Sequence, residues 1–262
     1  MDITTIVGLI IGFAGVIVGF LIEGGHISAL VGLPPFLIVA FGTLGATIVG
    51  IPREEIKKIP QWLKIAFSDK SFGVEKAYFT LVHFSEKARQ EGLLSLEHDL
   101  ETIEDKFTRQ GIQLVIDGTD PEITKSILES NITVLENRHK IGIGFFETAG
   151  GYSPTLGIIG TVMGLIHVLG NLTDPDKLSS SIAVAFIATL YGVCFANLFY
   201  LPIATKLKIK SQKEVQTMEM ILDGILSIQS GENPAILKEK LKTHIGYLPE
   251  KEAEEITTDG DE

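Results

Sequence analysis

The sequence predicts an all-α integral membrane protein: four transmembrane helices in two hairpins, with a mainly helical cytoplasmic domain. Three observations predict it. Residues 3–22, 27–51 and 178–205 contain no Asp, Glu, Lys, Arg or His, and residues 148–173 contain only one of these, His167. Each run reaches the ~20 residues that a helix needs to cross the apolar core of a bilayer. Of the 22 Lys and Arg residues, thirteen lie in 53–140 and eight in 206–251, leaving only Lys177 in the 174–177 loop and none in the 23–26 loop. Basic flanks stay on the cytoplasmic side, which puts both termini and both long polar segments there. The third observation is that glycine, not charge, patterns the apolar runs.

The first hairpin occupies residues 1–51. Its opening run reads as a retained helix and not as a cleaved leader, because MDITT has no basic residue, the run is too long, and EGGHI is a poor cleavage site. Gly8, Gly12, Gly15 and Gly19 recur at spacings of four, three and four, on one face of the first helix. Gly42, Gly45 and Gly50 form a weaker stripe on the second. Small residues let membrane helices approach closely, so packing within the four-helix unit is expected on these faces.

The cytoplasmic segment, 52–145, is long enough to fold. IPREEIKKIPQWLKIAF has helical apolar spacing after Pro52, and VEKAYFTLVHFSEKARQ continues it to a break at Gly92. Further helices are expected at 95–109 and 121–140, with GTDPE (118–122) as a turn and helix start.

The second hairpin, 146–205, contains SPTLGIIGTVMGL (153–165), where a proline and three glycines interrupt an apolar run. Gly157, Gly160 and Gly164 repeat the small-residue stripe. Pro154 frees a carbonyl that protein or water must satisfy, and gives the helix a place to bend. Thr155 and Thr161 lie in this run, and Thr189, Asn197 and Pro202 in the fourth. A membrane threonine bonds its own preceding carbonyls at no cost. Threonines and prolines at comparable depth on two helices also suit the wall of a narrow polar pathway, so Thr155, Thr161 and Thr189 are candidates for it. No carboxylate lies near mid-membrane, where an ion carrier normally holds one; Glu147 is at the inner end of the third helix. If ions pass here, a partner must supply the acid.

Residues 206–249 continue the fourth helix into the cytoplasm and end in a short helix, GENPAILKEKLKTHI, while the acidic tail at 250–262 is expected to be disordered. A net charge of −11 argues against a nucleic-acid partner. One cysteine, Cys194, excludes an intrachain disulfide. The sequence has no Walker A loop, HExxH, GxSxG or clustered metal ligands, which argues against an enzyme.

GIIGTVMGLIHVLGNL and AFIATLYGVCFANLFYLPIATKL, together with ARQEGLLSLE and GENPAILKEKL, resemble the third and fourth helices, the cytoplasmic signature and the C-terminal helix of the MotA/TolQ/ExbB ion-channel superfamily. The resemblance covers nearly the whole chain in order. TolQ and ExbB relatives arrange three membrane helices differently, so the two-plus-two layout favours the MotA/PomA branch of flagellar motor stators. That resemblance implies a ring of five copies in the bacterial inner membrane around two copies of MotB, a partner with one membrane helix whose aspartate carries H+ or Na+. It implies no cofactor, and torque delivered to the rotor protein FliG. Residue by residue, it makes Arg89 and Glu97 rotor contacts, Pro154 and Pro202 coupling prolines, Thr161 and Thr189 hydroxyls beside the partner's acid, and Glu147 an acid at the inner membrane edge. Two rivals stand beside it: an ExbB/TolQ-like energiser of another envelope process, and a passive membrane scaffold in which the polar residues only pack.

Overall fold

A computed structural model describes residues 2–69, 73–170 and 175–245. Among the described residues the structure is helical and has no strand. Helices long and apolar enough to span a membrane arise at each of the four charge-poor runs. The first is α1 (Ile3–Ile22), which Asp2 caps by accepting from the Thr5 amide at 3.4 Å. Gly24, at φ 84°, turns the chain out of α1 through a 3-10 turn at Ile27–Leu30. The second, α2 (Leu33–Val49), starts with proline in its first turn, where a missing N–H costs no helical bond.

Two short helices follow, α3 (Arg53–Ile56) and α4 (Ile59–Ala66). Then come α5 (Val74–Glu91), a 3-10 helix at Leu93–Thr102, and α6 (Lys106–Ile116). The break at Gly92 is as expected: its φ of 87° ends α5. The single helix expected over 95–109 is not formed. Asp105 starts a new helix instead, accepting from the Thr108 amide and hydroxyl at 2.7 Å each, and so ends the preceding 3-10 run. The helix expected at 121–140 and the third membrane helix are one element, α7 (Pro121–Leu169). The fourth run forms α8 (Pro175–Phe195), a π turn at Ala196–Tyr200, and α9 (Leu201–Gln229). The terminal helix is α10 (Pro234–Ile245), and the tail at 250–262 lies outside the described residues.

The chain divides into two compact units. One comprises Met1–Asp69 and His139–Ile209. Residues 52–69 therefore pack with the apolar helices and with 139–145, not with the stretch up to Arg138. The cause is the amphipathic face of α4: Trp62 and Ala66 join Phe145, Phe146, Ala149, Tyr200, Ile203, Ala204 and Leu207 in one buried cluster. Gly142 leaves the room this needs, since a Cβ there would lie 3.0 Å from the Trp62 indole.

The other unit comprises Lys70–Arg138 and Lys210–Glu262. Its core is built by Leu81, Leu96, Ile112, Leu128, Ile225, Leu237 and Leu241, all fully buried. These residues come from α5, the 3-10 helix, α6 and parts of α7, α9 and α10, so a continuous apolar interior ties together segments far apart in sequence.

Candidate functional site

The site is the seam between α7 and α8. Gly157, Gly160 and Gly164 face a matching stripe of small residues, Gly192, Ala188 and Ala185. A Cβ on Gly157 would lie 2.8 Å from the Ala188 carbonyl oxygen, and one on Gly192 would lie 2.6 Å from that of Ser153 and 2.9 Å from the Gly157 Cα. On Gly160 or Gly164 it would come within 2.6 Å of the Ala188 or Ala185 Cβ. The backbones thus touch along the seam, as small residues permit. Buried Ser153 adds a bond across it, donating to the Gly192 carbonyl at 2.9 Å.

That closeness brings Thr161 and Thr189 together. Their hydroxyls are hydrogen-bonded to each other, and Thr161 Oγ1 also lies 3.1 Å from the Gly157 carbonyl and 3.0 Å from that of Ala185. A hydroxyl has one proton to donate. When Thr161 donates to a carbonyl, the Thr189 proton therefore goes to Thr161. The result is a half-buried cluster of four oxygens with no charge of its own. Such a cluster can hydrogen-bond a protonated acid or offer oxygens to a hard cation. Thr155 is not brought to this pair: it is exposed, and its hydroxyl donates to the Tyr152 carbonyl at 2.7 Å.

The two prolines sit in different settings. Pro154 lies inside α7 and has no N–H for the Gly150 carbonyl. Pro202 is the second residue of α9, directly after the π turn. The Leu201 N–H there donates to Ala196, five residues back. Glu147 is exposed. Among the described residues no group of three or more His, Cys, Asp or Glu is placed to hold a metal.

In the other unit, Arg89 closes α5 and Glu97 lies on the 3-10 helix that follows; both are exposed and neither forms an ion pair among the described residues. The two elements are held by Lys87 and Asp99, 2.6 Å apart and both partly buried.

Two long-range polar contacts have no counterpart in the sequence pattern. Tyr191 in α8 donates to the Leu30 carbonyl at 2.5 Å and accepts from the Gly32 amide at 3.1 Å, satisfying the backbone of the first hairpin's turn. Asp2 pairs with Lys206. The Lys206 ammonium, helped by the Thr4 hydroxyl, holds the Asp2 carboxyl well below the usual carboxylate range. The small-residue stripe on α8 was readable from the spacing of Ala185, Ala188 and Gly192. The two long-range polar contacts left no local pattern.

The stripe on α1 behaves otherwise. Only Gly12 has a close neighbour, Leu198 Cδ2 at 3.1 Å from its would-be Cβ; Gly8, Gly15 and Gly19 have nothing within 4 Å. Packing of this face within the chain, expected from its spacing, is therefore not formed beyond Gly12.

Two family models match the chain: the motility protein A N-terminal model over residues 6–92, and the MotA/TolQ/ExbB proton channel family over residues 99–220. Motility protein A of Bacillus subtilis is 35% identical over 262 residues, covering 100% of this chain and 96% of that protein. The chain belongs to the MotA/TolQ/ExbB proton channel family. Motility protein A of Borreliella burgdorferi is 38% identical over 245 residues, 94% of each chain. A solved structure, the flagellar MotAB stator complex from Bacillus subtilis, superposes with a TM-score of 0.87 at 35% identity, over 96% of this chain and 98% of that one. Within the MotA/TolQ/ExbB family, the N-terminal match and the names of these relatives favour the stator branch over the energiser alternative.

Proposed function

We propose that the chain is a stator subunit of the bacterial flagellar motor. With a MotB-type partner it forms a cation channel in the bacterial inner membrane, both termini in the cytoplasm, and converts an ion gradient into torque. The observation that carries the reading is the likeness, along nearly its whole length, to a subunit of a flagellar stator complex. The seam supports it chemically. Thr161 and Thr189 present hydroxyl oxygens without an acid, which suits a channel whose ion-carrying aspartate comes from the partner's single membrane helix.

In this reading several copies, five by the family's pattern, surround the partner, and H+ or Na+ moves past the hydroxyls. Each passage draws about 2.3 kcal/mol per elementary charge per 100 mV of membrane potential, so useful work requires many small steps. Pro154, Pro202 and the π turn beside it give the two helices places to change shape as the partner's acid changes charge. Glu147 stands at the inner edge of the pathway. Arg89 and Glu97, exposed and unpaired on adjoining elements, are the groups offered to complementary charges on FliG. The role is energy conversion without chemical transformation of a substrate.

The test is rotation of tethered cells that lack their own stator genes, complemented with this chain and its partner. The expected result is restored rotation, with clearly lower torque from a normally accumulated Arg89→Glu variant. Filaments that stay immobile despite full membrane levels of both subunits would overturn the stator reading.

A further inference from the structure

The first membrane helix meets the fourth at two heights. Gly12 packs against Leu198, and Asp2 pairs with Lys206. At about 1.5 Å per residue, Asp2 to Gly12 covers ~15 Å and Lys206 to Leu198 ~12 Å, so the two contacts bracket similar lengths of oppositely running helix. The Leu198 contact falls inside the least regular part of the fourth helix, and the Lys206 contact lies just beyond it. The π turn at Ala196–Tyr200 closes with the Leu201 N–H on the Ala196 carbonyl, and Pro202 has no N–H for Leu198.

We propose that the first helix is a splint across this weak point, with Asp2 and Lys206 as positioning residues that clamp its end and hold the π turn in place. A π turn carries one residue more than the α turn it replaces. Resolving it rotates everything beyond by about 100°, the angle per residue of an α-helix. A fixed point at Lys206, just past Pro202, opposes that rotation. Asp2 is a firm anchor for it: its carboxylate also accepts from the Thr4 hydroxyl at 2.5 Å and from the Thr5 amide, and its own amide donates to the Phe67 carbonyl at 2.9 Å. Phe67 ends α4, whose Trp62 and Ala66 belong to the buried cluster that includes Tyr200 and Ile203, on either side of Pro202. The clamp thus closes a loop of contacts around the irregular stretch.

Both partners are partly buried, with side-chain exposures of 12% for Asp2 and 28% for Lys206, so solvent screens the pair less than an open surface bridge. Because the Asp2 carboxyl is held below the usual range, the pair contributes fully at neutral pH and is lost only as pH falls below that range. The consequence for torque rests on the stator reading; the splint itself does not.

The test is amide hydrogen exchange across residues 196–206 in the membrane-reconstituted complex with its single-helix partner, alongside rotation of tethered cells. Asp2→Asn removes the charge but keeps a good helix cap. Lys206→Met removes the other partner, and Lys206→Arg retains it. Exchange is expected to rise about tenfold in either single-charge variant and no further in the double variant, with Lys206→Arg close to wild type. Additive effects, or unchanged protection in Asp2→Asn, would overturn the splint. Should Lys206→Met fail to accumulate, the contrast between Asp2→Asn and Lys206→Arg decides. If exchange responds as expected while wild type fails to restore rotation, the stator reading falls and the splint stands. If wild type restores rotation and exchange does not respond, the splint alone falls.

Discussion

Two helices of this protein carry nearly the same glycine pattern and use it in opposite ways. On α7, Gly157, Gly160 and Gly164 are pressed against the backbone and methyl groups of α8, while on α1, Gly8, Gly15 and Gly19 look onto open space. Spacing alone does not distinguish them. The difference lies in the facing helix: α8 supplies Ala185, Ala188 and Gly192 in register, whereas α1 meets large Leu198 at its one close glycine. A small-residue stripe becomes a close helix contact only when its neighbour is small too, because a side chain larger than a methyl group on either helix holds the axes apart.

The largest effect is expected from breaking the close-packed side. Gly192→Ala puts a methyl group 2.6 Å from the Ser153 carbonyl oxygen and 2.9 Å from the Gly157 Cα. Both obstacles are backbone, so no side chain can swing aside. The helices must part, which also stretches the Ser153 bond and separates Thr161 from Thr189. A loss of about 3 kcal/mol, the upper end of ordinary overpacking, is expected in thermal unfolding of the purified complex, with motility abolished. A variant that melts like wild type would show that the seam is looser than its contacts imply.

Thr161→Val tests the seam more gently, because shape is kept and only the hydroxyl is lost. It leaves Thr189 without its partner in a half-buried setting, worth about 1 kcal/mol in membrane helices. The melting point of the complex should fall slightly. Ion selectivity and torque should change more than this small destabilisation accounts for, measured as rotation speed in Na+ and in K+ media. Unchanged torque and selectivity with a lowered melting point would reduce the threonine pair to a packing device.

Much of this was legible in the sequence because its causes are local. Charge-free runs, Gly92 and the apolar face of IPQWLKIAF each report on their own few residues, and the structure forms the helices and the break they predict. Asp105 is an equally local signal, and its cap divides the region where one helix is expected over 95–109. The site was half legible. Thr161 and Thr189 stood out as polar groups in apolar helices, but their pairing depends on the matched stripe of the opposite helix. Thr155 does not join the pair, since six residues of helix turn it to another side of α7. Tyr191 with the Leu30–Gly32 turn and Asp2 with Lys206 join residues more than 150 positions apart, and no periodicity encodes such a pair. The π turn was hidden for a related reason: a proline at 202 does not specify how the backbone before it is arranged.

The smallest effect is expected on the open side, and it sharpens the comparison most. In Gly15→Ala the added methyl meets nothing within 4 Å, and alanine favours a helix over glycine. Unfolding of the complex and torque in tethered cells should therefore stay within about 0.5 kcal/mol and within cell-to-cell scatter of wild type. Gly12→Ala, beside Leu198, is the internal contrast: its Cβ sits at 3.1 Å from the end of a flexible side chain, so a slight shift of Leu198 should absorb it. Suppose instead that Gly15→Ala leaves the chain abundant in the membrane but disrupts assembly. The open face of α1 would then be covered by another helix in the complex, and the same glycine spacing would mean backbone contact on both helices, within the chain for α7 and between chains for α1.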